Sequence, residues 1–197
     1  MNKLSREDLM TLEKYAQERP EFRKQVIAHK KNRQVSLGPN ATLYFEDRLT
    51  MQYQVQEMLR IEKIFETDGI EEELEAYNPL IPDGSNWKAT FMIEFEDAEE
   101  RRKQLSKLVG VERKIWVRVG EHDKVYPIAN EDLERETEDK TSAVHFLRFE
   151  LSSSMIESAK QGAEINMGVE HDHYHYETGA LPSNITESLV SDLAQRH

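Results

Sequence analysis

The chain has 197 residues and carries a formal net charge of −12, with 38% hydrophobic and 32% charged residues. That balance supports a real core and argues against phosphate-backbone binding as the main task. Cysteine is absent, so disulfides, thiolate metal sites, iron–sulfur ligation and a cysteine nucleophile within the chain are excluded.

Taken in order, Ser5 and Asp8 resemble a capping box opening a short helix with Leu9, Leu12 and Ala16. Pro20 then suits the first position of a second helix, with Phe22, Val26 and Ile27 inward. The cluster His29, Lys30, Lys31 and Arg33 reads as a solvated helix end complementing the dipole, or as a docking patch for an acidic partner. Short strands are predicted at Gln34–Leu37 and Ala41–Phe45, around Gly38-Pro39-Asn40.

A central helix is predicted over Thr50–Phe65, with Met51, Val55, Met58, Leu59, Ile61 and Phe65 on one broad arc. Gln54 and Glu62 fall inside that arc, and Glu57 sits at its edge. A carboxylate on a buried face must pair, take up a proton or meet a cation. A short helix with Ile70, Leu74 and Tyr77 follows, then a Pro/Gly loop.

Strands come next at Trp87–Phe95 and Ala143–Leu151, with a hairpin predicted between Lys114–Val119 and Lys124–Ile128. Asp97 caps a helix carrying Leu105 and Leu108. The acidic run NEDLERETED, residues 130–139, reads as an exposed loop or frayed helix. A short helix at Ser154–Gln161, a last strand at Ala163–His175 and a closing helix with Ile185, Leu189 and Leu193 inward complete the chain. The expected fold is a single α+β domain. Residues 1–80 are mainly helical, and residues 86–197 hold an antiparallel sheet of about five strands packed by helices, with a C-terminal helix.

Two strand faces carry ligand-type residues. Extending the alternation of Ile165, Met167 and Val169 puts His171, His173 and His175 on the same face, roughly 7 Å apart. His145 shares a face with Leu147, Phe149 and Leu151. Together with Glu57 from the central helix, these could form a two-histidine, one-carboxylate centre of the kind used by non-haem iron. The plainer readings stand beside this. HDHYHY can be a solvated strand end, His145 a structural residue, and Glu57 an ion-pair partner of Arg60, Arg48, Lys63 or a residue elsewhere.

The segments FEDRLTMQYQVQEMLRIEKI, YNPLIPDGSNWKATFMIE, KTSAVHFLRFEL and GVEHDHY resemble an uncharacterised bacterial and archaeal family, domain of unknown function 3501. The resemblance covers nearly the whole chain. It implies, by association with rubrerythrin-like proteins and iron–sulfur oxidoreductases, a role in a redox or oxidative-stress module. Glu46, Arg48, Gln54, Glu57, Met58, Arg60, Tyr77, Asn78, His145, His171 and Tyr174 match its motifs, whereas His173 and His175 depart from them.

The resulting expectation is a cytoplasmic protein binding a transition metal, iron or alternatively zinc, as an accessory protein or small metalloenzyme. The expected ligands are His171, His145 and Glu57, with His173 as an extra one. Glu57 and His171 would be the catalytic pair, and Gln54, Arg60 and Tyr174 would flank the cofactor. The alternative is a non-catalytic protein docking a rubrerythrin-like or iron–sulfur partner. A third possibility is a metal-free pocket enzyme using Glu57 and His171 as acid and base. No nucleic acid or membrane is implied; the N-terminus lacks a signal-peptide run and no apolar stretch is long enough to span a bilayer.

Overall fold

The computed structural model describes residues 3–194. Helix α1 spans Leu12–Lys30, and strands β1 (Gln34–Ser36) and β2 (Ala41–Phe45) follow it. Helices α2 (Arg48–Ile61) and α3 (Thr67–Tyr77) lead through a 3-10 turn to β3 (Asn86–Ile93). Then come α4 (Ala98–Lys107), β4 (Ile115–Val119), β5 (Ile128–Ala129), β6 (Val144–Glu150) and α5 (Ser153–Lys160). Strands β7 (Ile165–His171) and β8 (Tyr174–Ala180) and helix α6 (Ser183–Val190) close the chain.

The fold is α+β, as the sequence predicts, but the strands divide into two antiparallel sheets. One has the order β1-β2-β3-β6-β5 and the other β4-β7-β8. Period-two alternation explains their burial: Leu43, Phe45, Ala89, Phe91, Leu147 and Phe149 point inward from the first sheet. They share one core with Ile115, Val117, Ile165, Met167 and Val169 of the second. A separate apolar cluster, Met51, Val55, Leu59, Leu74 and Ile81 with Leu4, holds α2 and α3 together.

Several local expectations are corrected. Ser5 and Asp8 cap only a 3-10 turn at Arg6–Asp8, and Pro20 lies inside α1 rather than at its start. The helix continues because Ala16 and Pro20 are both exposed, so water can take the carbonyl that proline leaves without a donor. Ile27 is 41% exposed. Helix α2 ends at Ile61, and Lys63 with φ +54° turns the chain, which leaves Ile61 and Phe65 57% and 72% exposed and Glu62 in solvent.

The predicted hairpin after β4 shrinks to one bridge, Val117–Val125, and Ile128 pairs instead with Arg148 of the first sheet. The expected last strand is a hairpin. His171 pairs with Tyr174, so the chain reverses across Asp172 and His173. Among the described residues, no helix is long and apolar enough to cross a membrane.

Candidate functional site

The residues expected to meet at a metal occupy three neighbourhoods. Glu57 lies between α1 and α2. Its Oε1 accepts from the Tyr15 hydroxyl at 2.7 Å and Arg19 Nε at 2.6 Å, and its Oε2 accepts from Arg19 Nη2 at 3.1 Å and Arg60 Nη2 at 3.0 Å. The Arg19 bond, with Tyr15 and Arg60, drives its pKa down to about 2. Such a carboxylate is a fixed anion with its lone pairs in use, poorly suited to take a proton. Arg60 does orient Glu57, but Gln54 reaches instead toward the Tyr77 hydroxyl at 3.5 Å.

His171 ends β7. Its Nε2 lies 2.9 Å from the Val109 carbonyl oxygen, so that nitrogen carries the proton, and its Nδ1 accepts from the His173 backbone N–H at 3.2 Å. The His173 side chain is exposed, and the turn removes both His173 and His175 from the alternation that would have aligned them with His171. Tyr174 fastens the hairpin to the β1–β2 turn: its hydroxyl donates to Leu37 O and accepts from Asn40 N–H. Gly38 is tied to this contact. At φ +80°, a side chain there would have its Cβ 2.6 Å from that hydroxyl oxygen.

His145, in β6, is fully buried in the third neighbourhood. Asn130 Oδ1 accepts from Phe146 N–H at 3.1 Å, which orients the amide so that its Nδ2 donates to His145 Nδ1 at 2.9 Å. His145 Nε2 must then carry the proton. It faces the Ser142 carbonyl at 3.0 Å and Thr141 Oγ1 at 2.9 Å. Burial pushes its pKa down to about 4, opposed by the bond to Ser142 and assisted by Arg135. The ring is neutral at pH 7 and both its nitrogens are occupied by protein partners. Among the described residues, no three His, Cys, Asp or Glu side chains are grouped so as to hold a metal ion.

Beside His145 lies a cluster without counterpart in the sequence reading. Glu112, in a 3-10 turn ahead of β4, is 1% exposed, and its Oε2 is 4.0 Å from His145 Nε2. Among the described residues, no donor reaches that oxygen. Its Oε1 accepts from Arg113 Nη1 at 3.0 Å. Burial raises the Glu112 pKa, and the adjacent Glu136 carboxylate raises it further. Glu136 is opposed by burial, yet its pKa is lowered by Arg113 Nη2 at 2.6 Å, by Glu112, and by the Gly110 N–H at 3.0 Å. Two carboxyl groups in contact disfavour ionising together, and here burial and Glu136 raise the Glu112 pKa while Arg113 lowers that of Glu136.

Glu112, Arg113, Asn130, Arg135 and Glu136 line a cavity of about 450 Å³ between the turn before β4 and the acidic 130–136 segment. That segment, read from sequence as an exposed loop, is thus one wall of the site. His145 stands behind the wall and supports Asn130, and Glu112 is the carboxyl group with a raised pKa against the cavity.

The comparisons with known proteins agree with the family-level reading. The family model described as "Protein of unknown function (DUF3501)" matches residues 3–193. The chain belongs to the DUF3501 family. A crystal structure of a novel protein of unknown function from Burkholderia pseudomallei K96243, at 1.90 Å resolution, is similar to this DUF3501 chain. It shares 50% sequence identity over 98% of this chain and 100% of that one, with a TM-score of 0.93. No curated protein matches the chain. Membership of DUF3501 carries no activity with it, so the functional reading rests on the geometry above.

Proposed function

We propose that this protein binds a small polar molecule in the cavity beside Glu112 and transfers a proton to it or from it. The observation that carries the reading is a buried carboxyl group, Glu112, whose Oε2 lacks a donor and whose neighbour Glu136 is an ionised carboxylate. A carboxyl group with a raised pKa in contact with one whose pKa is lowered provides an acid and a base pushed apart, as general acid–base chemistry requires. Arg113 keeps Glu136 ionised, and Asn130, held by His145, fixes the opposite wall. The acidic side chains Glu131, Asp132 and Glu134 around the cavity favour an amine-bearing or hydroxyl-rich ligand over an anion. The iron centre expected from the sequence has less geometric support, because Glu57, His171 and His145 each serve a different local network.

The test has two arms. Infrared difference spectroscopy is expected to show a protonated carboxylic acid at pH 7 that disappears in Glu112→Gln. Incubating wild type with a pool of polar metabolites and following masses by mass spectrometry is expected to reveal a turnover that Glu112→Gln lacks. Glu112 ionised at pH 7, or turnover unchanged by the substitution, overturns the reading.

A second reading, docking of a redox partner, is favoured by one observation. Phe65 and Ile61 expose 72% and 57% of their surface at the end of α2. If a purified rubrerythrin-like or iron–sulfur protein docks at this edge, Phe65→Ser weakens the complex at least tenfold in surface plasmon resonance. Equal affinity for both forms removes it.

A further inference from the structure

A second cavity, of about 440 Å³, opens on the outer face of the first sheet, where α3 and the turn after it roof over β3 and β6. Its walls are mostly apolar, with Ala76, Tyr77, Leu80 and Phe146 facing Lys88 and Arg148. It shares only Glu131 and Asp132 with the cavity beside Glu112.

Its charge arrangement is unbalanced in one place. Lys88 and Arg148 are direct partners in the β3–β6 register, so two cations stand side by side on one face. Like charges opposite one another destabilise a sheet unless each is matched. Arg148 is matched: it donates to both oxygens of Glu131, at 2.9 and 2.7 Å, and to Glu150 at 2.5 Å. Lys88 donates to a neutral acceptor, the Pro79 carbonyl, at 2.5 Å. Among the described residues, no carboxylate oxygen lies within 4.0 Å of its ammonium group. An ammonium has three donors; one goes to the Pro79 carbonyl, and the half-buried side chain leaves the others open to the cavity. Burial lowers the Lys88 pKa and Arg148 adds to that, opposed from beyond ion-pair distance by the Asp83, Glu131 and Glu150 carboxylates. An anion placed at Lys88 would relieve both costs at once.

We propose that this cavity is a binding site for a small amphipathic monocarboxylate, its head group on Lys88 and its apolar body between Tyr77, Leu80 and Phe146. The carboxylate completes the donor set of Lys88, and the apolar body covers wall that is otherwise in contact with water. The acidic side chains at the mouth, Glu75 and Asp132, repel a polyanion, so nucleotides and other polyphosphates are disfavoured. The apolar walls disfavour sugars. The site does not depend on proton transfer at Glu112.

Isothermal titration of the full chain with octanoate tests the proposal, with octylamine and octan-1-ol as charge controls. Octanoate is expected to bind at one site, and at least tenfold more tightly than either control. Lys88→Met is expected to weaken it at least tenfold, and Lys88→Arg less than Lys88→Met. Ala76→Trp, at an exposed helical position, fills the cavity without touching the core and is expected to abolish binding; circular dichroism checks that each variant is folded. Absence of octanoate binding at millimolar concentration overturns the proposal. So does equal binding of octylamine or octan-1-ol, or octanoate binding that survives both Lys88→Met and Ala76→Trp.

Discussion

Arg33 reaches Asp192 near the far end of the chain, with Nη2 2.5 Å from Oδ2, and both side chains are almost wholly buried. The same guanidinium donates to the Phe45 and Ser188 carbonyls at 3.0 and 3.2 Å and to Glu46 O at 3.2 Å. It ties the end of α1 to β2 and to the segment after α6. Burial, aided by the nearby Asp47 carboxylate, raises the Asp192 pKa to about 6 despite Arg33. Arg33→Met removes every donor and leaves the acceptors buried. It should cost about 3–5 kcal/mol in urea unfolding, as breaking a buried pair from one side does. Asp192→Asn leaves an acceptor facing Arg33 and should cost clearly less.

The Glu57 pKa moves in the opposite direction from that of Asp192. Its folded pKa, about 2, lies below the ordinary value of 4.5, because Arg19, Tyr15 and Arg60 hold the anion. The stability it contributes is therefore full above pH 4.5 and is lost as pH falls toward 2. Its side chain is 13% exposed, so little of the effect is screened. Glu57→Gln should cost ~2–3 kcal/mol at pH 7. The gap between variant and wild type should narrow steadily in denaturation curves taken between pH 4.5 and pH 2.5.

The sequence was legible where burial follows a local period. Alternation placed His145, Leu147, Phe149 and Leu151 on one inward face, and all four are buried. Helical spacing likewise identified Met51, Val55 and Leu59. It failed at Ile61 and Phe65 because the period runs on past the point where the helix stops, and both side chains stay largely exposed. From sequence Arg33 reads as solvated like its neighbours, and its burial comes from α6 and Asp192, far off in sequence. For Glu57, pairing was foreseeable, but Arg19 and Tyr15 come from another helix. The candidate site was the least legible part. Glu112, Glu136 and His145 follow no common spacing, and they meet only through the folding of the 130–136 segment and β6 against the turn before β4.

Gly168 offers a packing test in the second sheet. It pairs with Trp116 across β4–β7, and a Cβ built there would lie 2.5 Å from Trp116 Cζ2 and 2.7 Å from the Tyr176 carbonyl oxygen. Trp116 is 1% exposed, so the indole has nowhere to retreat. Gly168→Ala should destabilise the fold by about 1–3 kcal/mol through overpacking. Near-ultraviolet circular dichroism should report a displaced tryptophan alongside the lower unfolding midpoint.

His145 separates a structural histidine from a metal ligand or an exposed base. Its folded pKa, about 4, lies below the ordinary 6.5 because burial penalises the charged ring. The unfolded chain takes up this proton more readily, so the associated stability is full above pH 6.5 and is lost as pH falls toward 4, amounting to ~3 kcal/mol. Nitrogen-15 spectra should show Nδ1 unprotonated and Nε2 protonated at pH 7, since Asn130 donates to the first and Ser142 O accepts from the second. Asn130→Asp replaces the donor by a carboxylate, which reverses that preference: it should move the proton to Nδ1 and raise the pKa. A His145 titrating near 6.5 in wild type, or showing no response to Asn130→Asp, would mean that the ring does not sit in the buried network that supports the wall of the Glu112 cavity.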